Sequence, residues 1–146
     1  MPVTRRSALV DADPSTVWAT VADPHQLPRW WPRVERVEAV SGRGFTEVLR
    51  SAKGAQVRAD FRIGERHKPR GISWEQELEG TPFERLVQRA AVRVALAPAE
   101  AGTRVELELD RSLRGINRLG GFLFRRAHRR ELDAALRALA DLHEEG

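Results

Sequence analysis

The run INRLGGFLFRRAHRRELDAALRALADLH, residues 116–143, decides how the chain folds. Apolar residues recur in it at Leu119, Leu123 and Ala127, then at Leu132, Ala135, Leu136, Leu139 and Leu142. Steps of three and four fall on one stripe of a 3.6-residue helix, so the spacing predicts one long helix from Ile116 to His143. Its other face carries Arg125, Arg126, Arg129, Arg130, Glu131, Arg137, Asp141 and Glu144. A lone helix cannot bury its own stripe, and the middle of the chain supplies the partner surface, because there the hydrophobic period changes to two. Val57, Ala59, Phe61 and Ile63 alternate with Arg58, Asp60 and Arg62. Ile72, Trp74, Gln76 and Leu78 alternate with Ser73, Glu75, Glu77 and Glu79. Leu86, Gln88, Ala90, Val92, Val94 and Leu96 form the next inner face, and Val105, Leu107 and Leu109 the last. Short Gly/Pro turns separate these runs, which indicates an antiparallel meander, since a parallel crossover needs a dozen or more residues.

Towards the N-terminus, residues 3–10 read as a first strand. Asp13 ahead of Pro14 is a helix-start signal, with the side chain as cap and proline where its missing N–H costs nothing. A short helix is expected from Pro14 to Ala22, and Asp23-Pro24 repeats the signal for a second through about Arg29. Pro28 and Pro32 bracket Trp30-Trp31 and stop that helix from growing. Val34, Val37 and Val40 step by three, which predicts a strand with a bulge. Gly42 and Gly44 mark a hairpin into a strand over Phe45–Ala52. Alternation does not choose the inner face of that strand, so Glu47 and Arg50 stay open as inward groups. The expected architecture is α+β, in one domain over residues 1–146. A seven-stranded curved antiparallel sheet surrounds a long C-terminal helix, with two short helices between strands 1 and 2.

A domain of 146 residues buries roughly 68–70% of its unfolded surface, enough to leave room for an internal cavity. The chain has no cysteine, which excludes disulfides and thiolate metal sites. No apolar run approaches the ~18 residues of a membrane span, and the N-terminus leads into a strand pattern, so a cytoplasmic location is expected. The net charge is +4, and all but Lys53 and Lys68 of the 25 basic residues are arginine. Opposite charges are interspersed through most of the chain, which fits a GC-rich coding sequence better than a nucleic-acid surface. The cluster Arg125, Arg126, Arg129 and Arg130 has two readings: a solvated helix face, or a dock for an anionic membrane at about 1 kcal/mol per basic residue. Nucleic acid is not expected there, because no aromatic residues interleave with the arginines. His25, His67, His128 and His143 lack metal-ligand spacing and read as solvated. There is no nucleophile elbow, paired-carboxylate motif or phosphate loop. No metal and no cofactor are expected.

The element order resembles the START-related (SRPBCC, helix-grip) superfamily. So do Val10-Asp11-Ala12-Asp13-Pro14-Ser15-Thr16-Val17-Trp18, Ala22-Asp23-Pro24, Trp30-Trp31-Pro32-Arg33-Val34 and the Gly102-Thr103-Arg104-Val105 strand start. Within it, the chain is similar to the polyketide cyclase/dehydrase and lipid-transport group of small bacterial proteins. The resemblance implies an elongated cavity between sheet and helix. Such motifs specify fold better than activity. The superfamily's aromatic polyketide cyclases rely on inward Arg, Tyr and Ser residues. This chain has no tyrosine, and its strand arginines fall on the outward parity.

The inner faces offer Gln76, Gln88, Trp74, Phe61, Ile63, Val92 and Leu107 as ligand-binding residues, joined by Leu123 of the helix and by Trp30 and Trp31. Gln76 and Gln88 stand out, because a buried amide without partners costs on the order of 1–3 kcal/mol. Each either orients a ligand or caps a bulge or cavity end. Of Trp30 and Trp31, one is read as a gate or stacking platform and at least one as a core plug. Gly120-Gly121 is either a flexible entrance or an ordinary helix start. The leading functional expectation is binding or transport of a hydrophobic small molecule. The alternative is an aromatic polyketide cyclase or dehydratase, and the third a protein-interaction module of the co-chaperone kind.

Overall fold

The computed structural model describes residues 3–115 and 118–144, with the backbone alone at 118 and 119. Strand β1 (Val3–Val10) precedes helices α1 (Pro14–Val21) and α2 (Leu27–Trp30), with a 3-10 turn at Pro24–Gln26 between them. Strands β2 (Val34–Glu38), β3 (Gly44–Arg50), β4 (Gln56–His67), β5 (Gly71–Gln76), β6 (Val87–Ala99) and β7 (Gly102–Leu113) follow, and α3 (Arg118–Leu142) ends the chain. Ile116 and Leu119 of the expected helical stripe lie outside the described residues or side chains. The seven strands are antiparallel in the order β1-β7-β6-β5-β4-β3-β2. After β1 the chain crosses through α1 and α2 to the far edge, then meanders back until β7 pairs with β1.

The caps act as their residue types require. Asp13 accepts from the Thr16 N–H at 2.9 Å, and Asp23 from the His25 N–H at 3.0 Å. Pro28 lies inside the first turn of α2 and does not break it, since that turn needs no N–H from it. Gly102, at φ 141°, closes the β6–β7 hairpin where a Cβ would lie 2.1 Å from the Val10 carbonyl oxygen.

The core fills the space between the sheet, α1 and the C-terminal part of α3. Val10, Val17, Trp18, Val105, Leu132, Ala135, Leu136 and Leu139 are all buried. Burial of each leucine or valine contributes about 1.5–3 kcal/mol. Helix α3 packs against β1, β7 and α2, and Arg6 of β1 holds Asp133 of α3 at 2.8 Å. It therefore leans towards one side of the sheet and leaves the other uncovered.

Three local details depart from the sequence reading. A bulge between Val87 and Arg89 shifts the phase of β6, so Val87 turns inward while Leu86 and Gln88 turn out to solvent. Strand β5 ends at Gln76, short of Leu78. Strand β7 continues past Asp110 to Leu113, which places Arg111 opposite the buried Ala90 on the inner face. The strand arginines are therefore not all outward.

Candidate functional site

The inner face of β3–β7 and the N-terminal part of α3 line a partly open cavity of about 900 Å³. Much of its wall is apolar: Leu49, Val57, Ala59 and Phe61 from the β3–β4 hairpin, Phe83 and Val87 near β6, and Leu123, Ala127 and Ala134 from α3. The hairpin pairs Phe45 with Phe61, Glu47 with Ala59 and Leu49 with Val57. Directly opposed residues share a face of an antiparallel pair, so the odd-numbered residues of β3 point inward. Behind the wall residues Phe61 and Trp31, a chain of aromatic contacts runs through the core. Phe45 stacks on Phe61 with ring centroids 5.5 Å apart, and Trp74 stands edge-on to Phe45 at 6.0 Å. Trp31 meets Trp74 edge-on at 6.3 Å and Trp30 at 5.4 Å.

A half-buried polar cluster interrupts this wall. Arg111 donates to both oxygens of Glu131, at 3.1 and 3.4 Å, and Trp31 Nε1 donates to Glu131 at 3.0 Å. All three residues line the cavity. Glu47 lines it too, is 5% exposed, and has no hydrogen-bond partner among the described residues. Burial first, and the nearby Glu131 second, push its carboxyl up to about 8, against the opposing pull of Arg111. Glu47 is therefore un-ionised at neutral pH. His128 on α3 is buried, not solvated, with its ring edge-on to Phe124 at 4.0 Å and its Nε2 unpartnered. Burial and Arg111 lower its pKa to about 4, so it stays neutral.

Of the residues singled out in the sequence, Phe61, Gln76, Trp31 and Leu123 meet at the cavity. Trp74, Val92, Leu107 and Trp30 lie in the packed core, with Ile63 partly buried against it. Trp30 is thus a core plug, and Trp31 a wall residue. Gln88 does not reach the cavity, because the β6 bulge turns it outward. It lies with Gln76 at a separate depression of about 530 Å³, where β5 and β6 diverge beyond the Glu75–Ala91 pair. All four arginines of the cluster are exposed, and of them Arg126 and Arg130, with the neighbouring Glu131, also border the cavity. Gly120 and Gly121 fall within the first turn of α3, and a Cβ on Gly121 would meet only the Arg125 side chain at 3.5 Å. Apolar alternation stops at Leu109, so the sequence carries no signal that β7 continues to place Arg111 inward. The odd-numbered apolar residues of β3 were the signal for Glu47.

Among the described residues, no helix is long and apolar enough to cross a membrane, and no three His, Asp or Glu side chains converge as a metal site.

Solved structures of similar fold extend over the whole chain. A START superfamily protein from Mycobacterium smegmatis is similar with a TM-score of 0.80 at 13% identity, covering 98% of this chain and 97% of its own. The protein XoxI from Bacillus cereus gives 0.78 at 15% identity, covering 99% and 97%. The di-domain ARO/CYC StfQ from the steffimycin biosynthetic pathway gives 0.78 at 14% identity, with 99% of this chain matching 51% of that one. At these identities the likeness shows the fold alone. Among functionally curated proteins, none matches the sequence. Residues 1–144 match the family described as polyketide cyclase / dehydrase and lipid transport, and the chain belongs to that family.

Proposed function

We propose that the chain binds a hydrophobic small molecule in the cavity between sheet and helix. One observation carries this reading: about 900 Å³ of space with a largely apolar wall and a few polar groups, Glu47 buried and Arg111 and Glu131 half-buried, the usual make-up of a small-molecule site. Burial against Phe61, Leu49 and Leu123 supplies affinity at about 25 cal/mol per Å² of apolar surface. The Arg111–Glu131 pair, held in place by Trp31, supplies orientation. Family membership and the fold support the same class of ligand. The test is Ala127→Trp, which fills the cavity from an exposed helix position. N-phenyl-1-naphthylamine, an uncharged fluorophore, binds the unaltered protein and loses about tenfold or more in affinity to the variant, at unchanged melting temperature. Equal affinity in both refutes the reading.

A second reading, an aromatic polyketide cyclase or dehydratase, is favoured by Arg111, an inward arginine in an otherwise greasy space. Turnover of a poly-β-ketone substrate that disappears in Arg111→Gln, with the fold retained, distinguishes it from a carrier. Contact with an anionic membrane rests on Arg125 and Arg129 beside Phe122 and Leu123, which are 50% and 55% exposed. Co-sedimentation with phosphatidylserine vesicles, lost in the Arg125→Gln/Arg129→Gln protein, tests it.

A further inference from the structure

Glu47 is a carboxyl with no hydrogen-bond partner among the described residues, set in the wall of a cavity. Its neighbours across the hairpin and along β3 are Ala59, Phe45 and Leu49, none of which offers a hydrogen bond. The cation that acts on it, Arg111, is already engaged by both oxygens of Glu131. Glu131 also has Trp31 as a donor. A buried carboxyl with no donor of its own favours its neutral form, and Glu47 is in that position. The remaining charged groups of the cavity leave this assignment intact. Arg50 is engaged by Glu35 at 2.6 Å, and Arg33, Arg126 and Arg130 are exposed. His128 is held neutral by its burial. None of them hydrogen-bonds Glu47.

A protonated carboxyl donates as well as accepts, and an unused donor at this depth costs free energy until something accepts from it. We propose that Glu47 is the specificity-determining group of the cavity: as an un-ionised acid it donates a hydrogen bond to a neutral oxygen acceptor, of the carbonyl type, carried by an otherwise apolar ligand. Arg111 and Glu131 are positioning residues, because their mutual pairing leaves the Glu47 proton free for the ligand. The inference rests on the reading that the cavity holds a hydrophobic molecule, and it adds which polar function that molecule must present.

The experiment uses two naphthalene probes of nearly the same body, 6-propionyl-2-dimethylaminonaphthalene and 2-dimethylaminonaphthalene, the second lacking the acyl oxygen. Each is titrated into the unaltered protein, Glu47→Gln and Glu47→Leu. Glutamine keeps a neutral donor and leucine removes it. The expected result is that the acyl probe binds the unaltered protein and Glu47→Gln about tenfold more tightly than Glu47→Leu, while the plain probe binds all three alike. Equal binding of the acyl probe to the unaltered protein and Glu47→Leu overturns this inference and leaves the cavity reading standing. Failure of every variant to bind either probe overturns both. Infrared difference spectra give a readout independent of the probes. A protonated-carboxyl C=O band at neutral pH, missing in Glu47→Gln, supports the assignment, and its absence from the unaltered protein overturns it.

Discussion

Within one helix, Leu132, Ala135, Leu136 and Leu139 sit in packed interior while Leu123, Ala127 and Glu131 border a hollow, although the same three- and four-residue spacing runs through both. The difference lies in what faces them. The C-terminal part of α3 meets β1, β7 and α2, and Val10, Val17, Trp18 and Val105 fill the space in the same core cluster. The N-terminal part looks across at Ala59 and Val57, and presents Ala127 and Ala134 of its own. Short side chains on both sides cannot meet, and β2–β5 lie on the side of the sheet away from which α3 leans. An amphipathic stripe therefore announces that a helix has an inner side, but the neighbours decide whether that side is filled. Leu139 is fully buried and Leu123 is 55% exposed, from one repeating pattern.

The comparison breaks most decisively if the two ends respond alike to truncation. Leu139→Ala is expected to cost about 2–5 kcal/mol in urea unfolding, whereas Leu123→Ala changes stability by no more than about 0.5 kcal/mol. Similar losses at both positions would mean that the hollow end is packed in solution.

The buried acid of the hollow end sharpens the contrast through pH. Glu47 has a folded pKa of about 8 against an ordinary 4.5, so the native state holds a proton that the unfolded chain releases. Its contribution is complete below about pH 4.5 and is lost as pH rises towards about 8, at up to about 1.4 kcal/mol for each pH unit. The stability of the unaltered protein relative to Glu47→Gln should fall across that window. A flat difference would place an ionised carboxylate there.

His128 acts with the opposite sign. Its pKa drops from 6.5 to about 4 on folding, so its contribution is present above pH 6.5 and is lost as pH falls towards 4. His128→Leu should remove that part of the acid-side decline and leave the alkaline side alone. An unchanged acid limb in the variant would show the ring reaching solvent.

The smallest effect concerns the rim. Arg33 borders the cavity with φ 70°, a left-handed conformation that a Cβ disfavours. Arg33→Gly should gain less than about 1 kcal/mol, since relief of strain is offset by the greater freedom of glycine in the unfolded chain. A clear loss would show that the guanidinium contributes more at this rim than the backbone costs.

Much of the fold was legible because its signals are local. Asp13-Pro14 and Asp23-Pro24 start helices wherever they stand, and Val57-Ala59-Phe61-Ile63 can be little but a half-buried strand. The site was legible only in part. Alternation places Phe61 and Gln76 on the inner faces, where the cavity lies, but the bulge between Val87 and Arg89 reverses the alternate count at Gln88. Alternation within β3 does not place Glu47, and its partner strand does. The turn around Lys53 pairs Arg50 with Gln56, and that register alone places odd-numbered residues of β3 beside the inward row of β4.

The amino-acid order by itself determined seven strands, two short helices, one long helix and the family, because caps, turns and hydrophobic periods act over a few neighbouring residues. Only the tertiary structure decided that Trp31, Glu47, Arg111 and Glu131 share one wall of a cavity. That meeting depends on strand register, on the reach of β7 past Asp110 and on the lean of α3. Each of these is set by the balance of packing across the whole molecule, and no short stretch of sequence carries it.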